Sequence, residues 1–344
     1  MDQNVNGLKA DDKLEKIISM MIVRNIQGYC MQETWMLGDF ILKIRGHTVI
    51  HHGMQERKAD RGRYAAGVGI VLGPFLTGIW EKTGKLPPVT SPITSPFPGR
   101  MIGITLCFPN GSNRSRDRYH RKAKGEIKIF LCSIYHPVEH DEQKYFNDEL
   151  DAFYGRAPRN AEILSGQDIN ANAGVATVRF RDVIGPNGIN NRNVKGKDFL
   201  FLLKSNKLKL LLTFFKHRNY ITYRSFNQLR TPHMLDNFVC SEKFFKRVKD
   251  CKVVSTGVRS DHSAIQVTFK LTSIKFKVNA KKHVIIDWKK INNSHIVNKQ
   301  FNDKLTEVLT KETDYTNFNL NILKAAKETA TTTKQKNNGW FQNS

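Results

Sequence analysis

The sequence predicts an α/β chain in which two β-sheets pack together and helices cover them. Three observations predict it. Short β-prone runs outnumber helical patterns between Gly28 and Leu271. The amphipathic helical stretches fall between those runs and not in one block. Several runs are separated by turns short enough for hairpins, which fits mixed sheets better than a plain doubly wound parallel sheet.

Taken in order, Asp11 to Ile22 reads as an amphipathic helix, with Leu14, Ile17, Ile18, Met21 and Ile22 on one face. Strand-like runs follow at Gly28–Gln32, His47–His51, Ala65–Leu72, Met101–Phe108, Ile127–Tyr135 and Glu162–Leu164, each bounded by turn formers or polar loops. Asp141 to Phe153 reads as a helix between two of them, and Gly196 to Ser205 as another, with Phe199, Leu200, Leu202 and Leu203 as its apolar set. Strands resume at Leu208–Thr213, Tyr220–Ser225, Leu235–Val239, Lys252–Ser255 and Ala264–Leu271. Beyond about residue 275 a basic stretch (Lys275, Lys277, Lys281, Lys282) leads into helical patterns at Phe301–Leu309 and Phe318–Ala330, and Thr331 to Ser344 is polar.

Composition bounds the function. The 344 residues are 40% hydrophobic, ample for a buried core in one large domain with an extension. No run of about twenty apolar residues occurs, so no membrane partner is expected. Met1-Asp2-Gln3-Asn4 is polar, unlike a secretory signal. Lys and Arg number 55 against 31 Asp and Glu, a net charge of +24 that attracts polyanions, nucleic acid first among them. A merely soluble basic protein satisfies the charge as well. Cys30, Cys107, Cys132, Cys240 and Cys251 are odd in number and form no CxxC pair. They read as reduced intracellular thiols and argue against zinc.

The residues able to carry chemistry lie at strand ends. Glu33 follows the run Tyr29-Cys30-Met31 and puts an anionic oxygen at a sheet rim, suited to a hard cation such as Mg²⁺. A solvated loop Glu has the same pattern. Tyr135 ends a long strand before His136-Pro137, where its hydroxyl can donate to a phosphate oxygen or simply fill the core. Asp168 and Asn170 follow Ser165-Gly166 and share a side if strand geometry persists. A carboxylate there can deprotonate water while the amide donates to an anion, although an Asx-capped turn has the same composition. Asp236 lies inside the apolar run Met234–Val239, where an acid needs a partner. His262, in Arg259-Ser260-Asp261-His262, is the obvious one. Each residue alone also has a structural reading. Their joint order in one strongly basic chain points to metal-assisted phosphodiester chemistry.

That order resembles the endonuclease/exonuclease/phosphatase superfamily. More narrowly, it is similar to the endonuclease domain of LINE-type (non-LTR) retrotransposon polyproteins and of craniofacial development protein 2-like proteins. The resemblance covers roughly residues 4 to 270 and implies a four-layered α/β sandwich. Asn4-Val5-Asn6-Gly7-Leu8 resembles the string whose first Asn lies beside the metal, and Gln32-Glu33-Thr34 the one whose Glu binds it. The resemblance further implies that Tyr135 contacts the scissile phosphate, that Asp168 with Asn170 handles the attacking water, and that Asp236 orients His262. Asp261 would lie near the metal. Thr222-Tyr223 resembles the Thr-Trp preceding the DNA-contacting surface. Gln167 stands where the family has Gly, which would add a side chain beside the catalytic loop. Only Met1-Asp2-Gln3 precede Asn4, so a truncated first strand is expected, with neighbouring strand edges uncovered and Asn4 weakly anchored.

The implied domains are 1–272, endonuclease-like, and 273–344, a basic linker and helical extension of the kind that leads to a reverse transcriptase. No Tyr/Phe-x-Asp-Asp polymerase string occurs. Arg114, Arg116, Arg118, Arg121, Lys122 and Lys124 cluster between two strands with Tyr119 and His120. They read as a basic tip that can lie along a DNA backbone, or as a solvated hairpin. Lys243, Lys246, Arg247 and Lys249 form a second basic run. The expected activity is DNA nicking with Mg²⁺, or Mn²⁺ in its place, leaving a 3′ hydroxyl. DNA is the expected partner, with element RNA a second, and the nucleus the expected location. The alternatives are a catalytically inactive nucleic-acid-binding remnant and a superfamily phosphatase.

Overall fold

The computed structural model describes residues 1–8, 12–55, 66–92, 94–109, 126–227, 231–271, 285–286, 288–309, 325–326 and 328–332. They fall into two units, Met1–Ile274 and Lys275–Ser344. In the first, the elements in chain order are β1 (Asp2–Asn4), α1 (Lys13–Val23), β2 (Gly28–Gln32), β3 (Phe40–Ile44), β4 (His47–His52), β5 (Val68–Leu72), α2 (Pro74–Lys82), β6 (Val89–Thr90), β7 (Met101–Pro109), β8 (Glu126–Tyr135), α3 (His140–Gly155), β9 (Glu162–Asp168), α4 (Val194–Ser205), β10 (Leu208–Leu210), β11 (Asp236–Ser241), α5 (Glu242–Phe245), β12 (Val248–Val254) and β13 (Ala264–Phe269). One sheet runs β12-β13-β1-β2-β5-β4-β3 and the other β10-β11-β9-β8-β7-β6.

Strand alternation builds four layers. Tyr29 and Met31 of β2 pack outward with Ile17, Ile18, Met20 and Met21 of α1, whose i, i+1, i+3, i+4 spacing makes one apolar stripe. Cys30 and Gln32 face the other sheet, where the Cys30 thiol donates to the Cys132 carbonyl (3.2 Å) and Gln32 Nε2 donates to Ser133 Oγ (3.0 Å). On the far side, Phe130, Cys132 and Ile134 of β8 pack with Phe146, Leu150 and Phe153 of α3 and Phe199, Leu200 and Leu203 of α4. The four-layered α/β sandwich expected from the sequence is the architecture observed.

The contact between the sheets is unusually polar beside β1. Asp2 is fully buried and accepts from Gln32 Nε2 at 2.6 Å. Asp2 Oδ2 and Gln32 Oε1 have no hydrogen-bond partner among the described residues. Gly166 is required opposite, because a Cβ there would stand 2.3 Å from Asp2 Oδ1. Burial first, and the neighbouring Asp236 carboxylate next, raise Asp2 well above the usual carboxylate range.

β1 is indeed short, three residues against five in β2 and six in β13. Beyond it the two flanking strands border a cavity of about 330 Å³ lined by Gly28, Val267 and Phe269 and, from the opposite sheet, by Leu106, Leu131 and Phe238. The expectation that Asn4 is weakly anchored is not met. Parallel pairing of Asn4 with Gln32, and side-chain bonds to both sheets, leave Asn4 with no exposed surface.

Other differences have local causes. Tyr220–Ser225 is not a strand, since only isolated bridges join Tyr223 to His233 and His262. β3 has no strand-like pattern in the sequence, because it is an edge strand whose Ile41 and Leu42 are exposed, without alternation. α2 is nine residues opened by Pro74 and buries Leu76, Ile79 and Trp80, too short a repeat to stand out. All five cysteines carry free thiols. No described helix is long and apolar enough to cross a membrane. The basic stretch Lys275–Lys282 and much of Phe318–Ala330 lie outside the described residues. In the second unit, β14 (Ile285–Ile286) pairs with β15 (Thr331–Thr332), while α6 (Trp288–Asn293) and α7 (His295–Leu309) contribute Ile291, Val297 and Phe301 to a small core with Ala326 and Ala330.

Two buried groups set opposite pH dependences. His136 lies edge-on to Phe146 and Phe199, and burial lowers it from 6.5 to about 4. Its stabilising contribution is present above 6.5 and is lost as pH falls towards 4, by up to about 3 kcal/mol. Urea midpoints should therefore drop between pH 7 and pH 5, and less so in His136→Gln. Asp2 has the other sign, because its raised carboxyl loses stability as pH rises through the folded value. Asp2→Asn should raise the melting temperature at pH 8 and leave it nearly unchanged at acid pH; an equal gain at both would remove the electrostatic cause.

Candidate active site

Three neighbouring strands bring acids to one rim. β8 and β9 are parallel with Tyr135 opposite Asp168, and β9 and β11 are antiparallel with Asp168 opposite Asp236. On the facing sheet, the chain after β1 stays bonded to the chain after β2. The Val5 N–H donates to the Gln32 carbonyl (2.9 Å), Gly7 to Glu33 (2.7 Å) and Leu8 to Thr34 (2.8 Å). Glu33 and Trp35 take left-handed φ values of 49° and 56° there. Gly7 is needed because a Cβ would approach Trp35 Cε3 to 2.3 Å.

Asn4 joins the two sheets. Its Nδ2 donates to Glu33 Oε1 at 2.7 Å and to Asp168 Oδ2 at 2.9 Å, using both amide hydrogens on carboxylates. Its Oδ1 accepts from the Asn6 N–H (3.0 Å), and Asn6 Nδ2 donates to Asp261 Oδ1 (2.8 Å). Ser260 Oγ donates to the Asn4 carbonyl (2.8 Å) and accepts from the His262 N–H (3.0 Å). Glu33, Asp168 and Asp261 are thus connected through two asparagines.

His262 is held from two sides. Its Nδ1 donates to Asp236 at 2.8 and 3.0 Å, and its carbonyl accepts from the buried Gln3 Nε2 (2.8 Å). Tyr223 lies over the ring with centroids 4.9 Å apart. Burial disfavours the charged imidazole, yet Asp236, with Asp168 and Asp261, outweighs it and lifts His262 to about 10. Burial and the Asp236 charge raise Asp168 as well, to about 7, opposed by His262 and the Asn4 bond. Tyr135 is raised well above its ordinary value by burial and by Glu33 and Asp168, so it remains a phenol at neutral pH.

Of the sequence-predicted residues, Asn4, Glu33, Tyr135, Asp168, Asn170, Asp236, Asp261 and His262 come to this rim. Asn170 lies past the end of β9 at φ 45°, its N–H bonded to Asp168 Oδ1 (3.1 Å) and its Nδ2 to the His136 carbonyl (2.9 Å). Thr222 is a correction. It is 1% exposed, and its hydroxyl accepts from the Leu235 and Asp236 N–H groups at 2.9 Å, fixing the start of β11 where a DNA contact was expected. Gln167 is another. Alternation turns it to the outer layer, where it accepts from His136 Nε2 (2.9 Å) and donates to Tyr154 Oη (2.6 Å), so it adds nothing beside the catalytic loop. In the second basic run, Arg247 makes two bonds to buried Glu162 (2.7 and 2.9 Å) and Lys243 lies 3.6 Å from it, a structural ion pair. Arg114, Arg116, Arg118, Arg121, Lys122 and Lys124 lie outside the described residues. Sequence reading missed Gln3, which carried no signal, and Asn6, which the Asn-x-Asn string contained.

The donor set suits a hard divalent cation. Glu33, Asp168, Asp236 and Asp261 supply carboxylate oxygens and Asn4 an amide oxygen. Asp168, Asp236 and His262 have polar atoms within 4.8 Å of one another, but His262, charged and bonded to Asp236, has no lone pair for a cation. Burial first, and the Asp236 and Glu33 charges after it, raise Asp168; a cation would offset the charge part of that shift.

No family model and no curated protein matches the chain. Solved structures do. The catalytic domain of Xenopus laevis APE2 matches 78% of this chain and 90% of its own, at 14% identity and a TM-score of 0.52. The 3′-5′ exonuclease NExo from Neisseria meningitidis matches 78% of this chain and 98% of its own, at 13% identity and 0.51. This chain has the endonuclease/exonuclease/phosphatase fold. The endonuclease domain of TRAS1, a telomere-specific non-LTR retrotransposon, is also similar, over 79% of this chain and 98% of its own, at 14% identity and 0.48. In the endonuclease/exonuclease/phosphatase fold of this chain, the acids, His262 and Tyr135 gather at one end of the two sheets.

Removing the Asp236 charge should lower His262. In ¹³C or ¹⁵N NMR titrations the native imidazole should stay protonated through pH 8, whereas in Asp236→Asn it should titrate at a clearly lower pH. An unchanged titration would mean that Asp236 is not what charges the ring.

Proposed function

We propose that the first unit is a divalent-metal-dependent phosphodiesterase that nicks DNA, with Mg²⁺ the working ion and Mn²⁺ a substitute. The observation that carries this reading is geometric: one amide, Asn4 Nδ2, bridges Glu33 and Asp168 at 2.7 and 2.9 Å, in a site that also holds an imidazole fixed by Asp236 at 2.8 Å. Asp168, as carboxylate, takes the proton of the attacking water, and Asn170 keeps its oxygens aimed through the Asn170 N–H bond. His262, held charged against Asp236, stabilises the charge that develops on the phosphate oxygens, and the Tyr135 phenol donates to them. Glu33, Asp261 and Asn4 would hold the metal, which supplies charge neutralisation at the phosphate and the departing 3′ oxygen.

A net charge of +24 favours a polyanion over a small phosphoester, against the phosphatase alternative. The fold does not make this choice, since NExo is described both as a 3′-5′ exonuclease and as a 3′ phosphatase bound to DNA. The order of site residues supports the narrower reading of a non-LTR retrotransposon endonuclease, whose 3′ hydroxyl product primes reverse transcription. Element RNA would then be a second partner and the nucleus the site of action. The second reading, a DNA-binding remnant without cleavage, draws on the short β1 and the cavity beside it.

The test is nicking of supercoiled plasmid. Mg²⁺ should support nicking and EDTA abolish it, and Asp168→Ala should slow it by about a hundredfold or more. Equal rates for Asp168→Ala and the native chain would sink the catalytic assignment. DNA binding without any nicking by the native chain would favour the second reading.

A further inference from the structure

Arg100 immediately precedes β7 and reaches the rim beside Tyr135. Its guanidinium carbon lies 4.6 Å from the centre of the Tyr135 ring, and its Nη1 donates to the Tyr135 carbonyl across a long 3.5 Å. The two residues are also joined by the backbone, the Tyr135 N–H donating to the Arg100 carbonyl at 2.9 Å. Arg100 is half-buried, and no carboxylate lies within ion-pair distance of it among the described residues. Arg247 shows what this chain does with a structural arginine: it gives it buried Glu162 and two short bonds. A guanidinium has five N–H donors in a rigid fork. At Arg100 an aromatic face and one long bond leave most of that fork unused.

Lys195 has the same character. It is half-buried in the first turn of α4, and its Nζ donates to the Val138 carbonyl at 2.6 Å. It too has no carboxylate within ion-pair distance among the described residues. The charges of Arg100 and Lys195 both act on His136, and Lys195 itself feels Glu139 first and Asp168 second. Arg100 is thus bonded to the chain at Tyr135 and Lys195 at Val138, and neither is ion-paired with a carboxylate among the described residues, although the Glu139 and Asp168 charges act on Lys195 from further off.

We infer that Arg100 and Lys195 form an anchoring subsite for a phosphate of the substrate strand adjacent to the one being cleaved, an inference that rests on the phosphodiesterase reading above. Arg100 grips the anion with its fork while its flat face stays on Tyr135, so the anchored phosphate and the Tyr135 hydroxyl are held in a fixed relation. Lys195 adds a point charge. The phosphate replaces the missing carboxylate, which explains why two partly desolvated cations are kept unpaired.

The experiment is binding of a labelled DNA duplex by the full chain across a salt series, with Ca²⁺ in place of Mg²⁺ so that cleavage does not interfere. Arg100→Gln and Lys195→Gln should each weaken binding and reduce the slope of log K against log salt by about 0.9. Arg100→Lys should keep the native slope yet nick plasmid more slowly than the native chain, because lysine has neither the fork nor the flat face. Native slopes in the folded glutamine variants would overturn the subsite. If Arg100→Gln does not fold, as judged by near-ultraviolet circular dichroism, Lys195→Gln decides alone. Native nicking by Arg100→Lys would overturn the role given to the fork. Failure of the phosphodiesterase reading appears separately, as a native chain that binds the duplex with a normal slope and never nicks.

Discussion

The amide of Asn4 is the interaction on which the site depends. One nitrogen spends its two hydrogens on carboxylates from different sheets, Glu33 and Asp168, and so fixes the distance between them. Two acids this close repel each other. A neutral double donor relieves part of that repulsion without cancelling the charge, which leaves the pair still able to attract a cation. The strand that carries Asn4 is only three residues long, but it is gripped on both edges, by β2 in parallel and by β13 in antiparallel pairing.

The remaining charges are arranged around that bridge. His262 is positive because Asp236 makes it so, and Asp168 sits between this imidazolium and the acids on its other side. His262 and Asp168 are both raised above their ordinary values, His262 by its acidic neighbours against burial and Asp168 by burial together with Asp236. The support beneath them is polar as well. Gln3 holds the His262 carbonyl, Thr222 holds the Asp236 N–H, and Ser260 ties the Asp261-His262 turn to β1. Backbone placement of this kind fixes ring and carboxylate positions more firmly than side-chain packing alone.

Legibility in the sequence followed burial. Strands with both faces covered, such as β2, β7 and β8, show as apolar runs and were read nearly to their ends. Edge strand β3 did not, because half of it faces water. The catalytic candidates were legible as acids, amides and a histidine at strand ends, since strand ends are where polar groups are both fixed and reachable. Supporting residues were not. Gln3 is one polar residue in a polar N-terminal string, and only pairing with β13 brings it under His262. Thr222 looked like a surface residue because nothing local shows that its hydroxyl caps two distant N–H groups.

The sequence by itself determined the α/β alternation, the excess of positive charge, the free thiols and the set of residues able to do phosphate chemistry, because each of these is a property of composition or of local periodicity. Only the tertiary structure decided which of them meet. Gln167 and Asp168 are neighbours in sequence, but the pleat sends one to the outer helices and the other to the site. Arg247 and Arg100 are the same residue type, yet one is neutralised by a buried glutamate and the other is left with an aromatic face. Contacts between residues from 26 positions apart (Asp236 and His262) to 259 (Gln3 and His262) set charge and orientation here, and no local pattern encodes them.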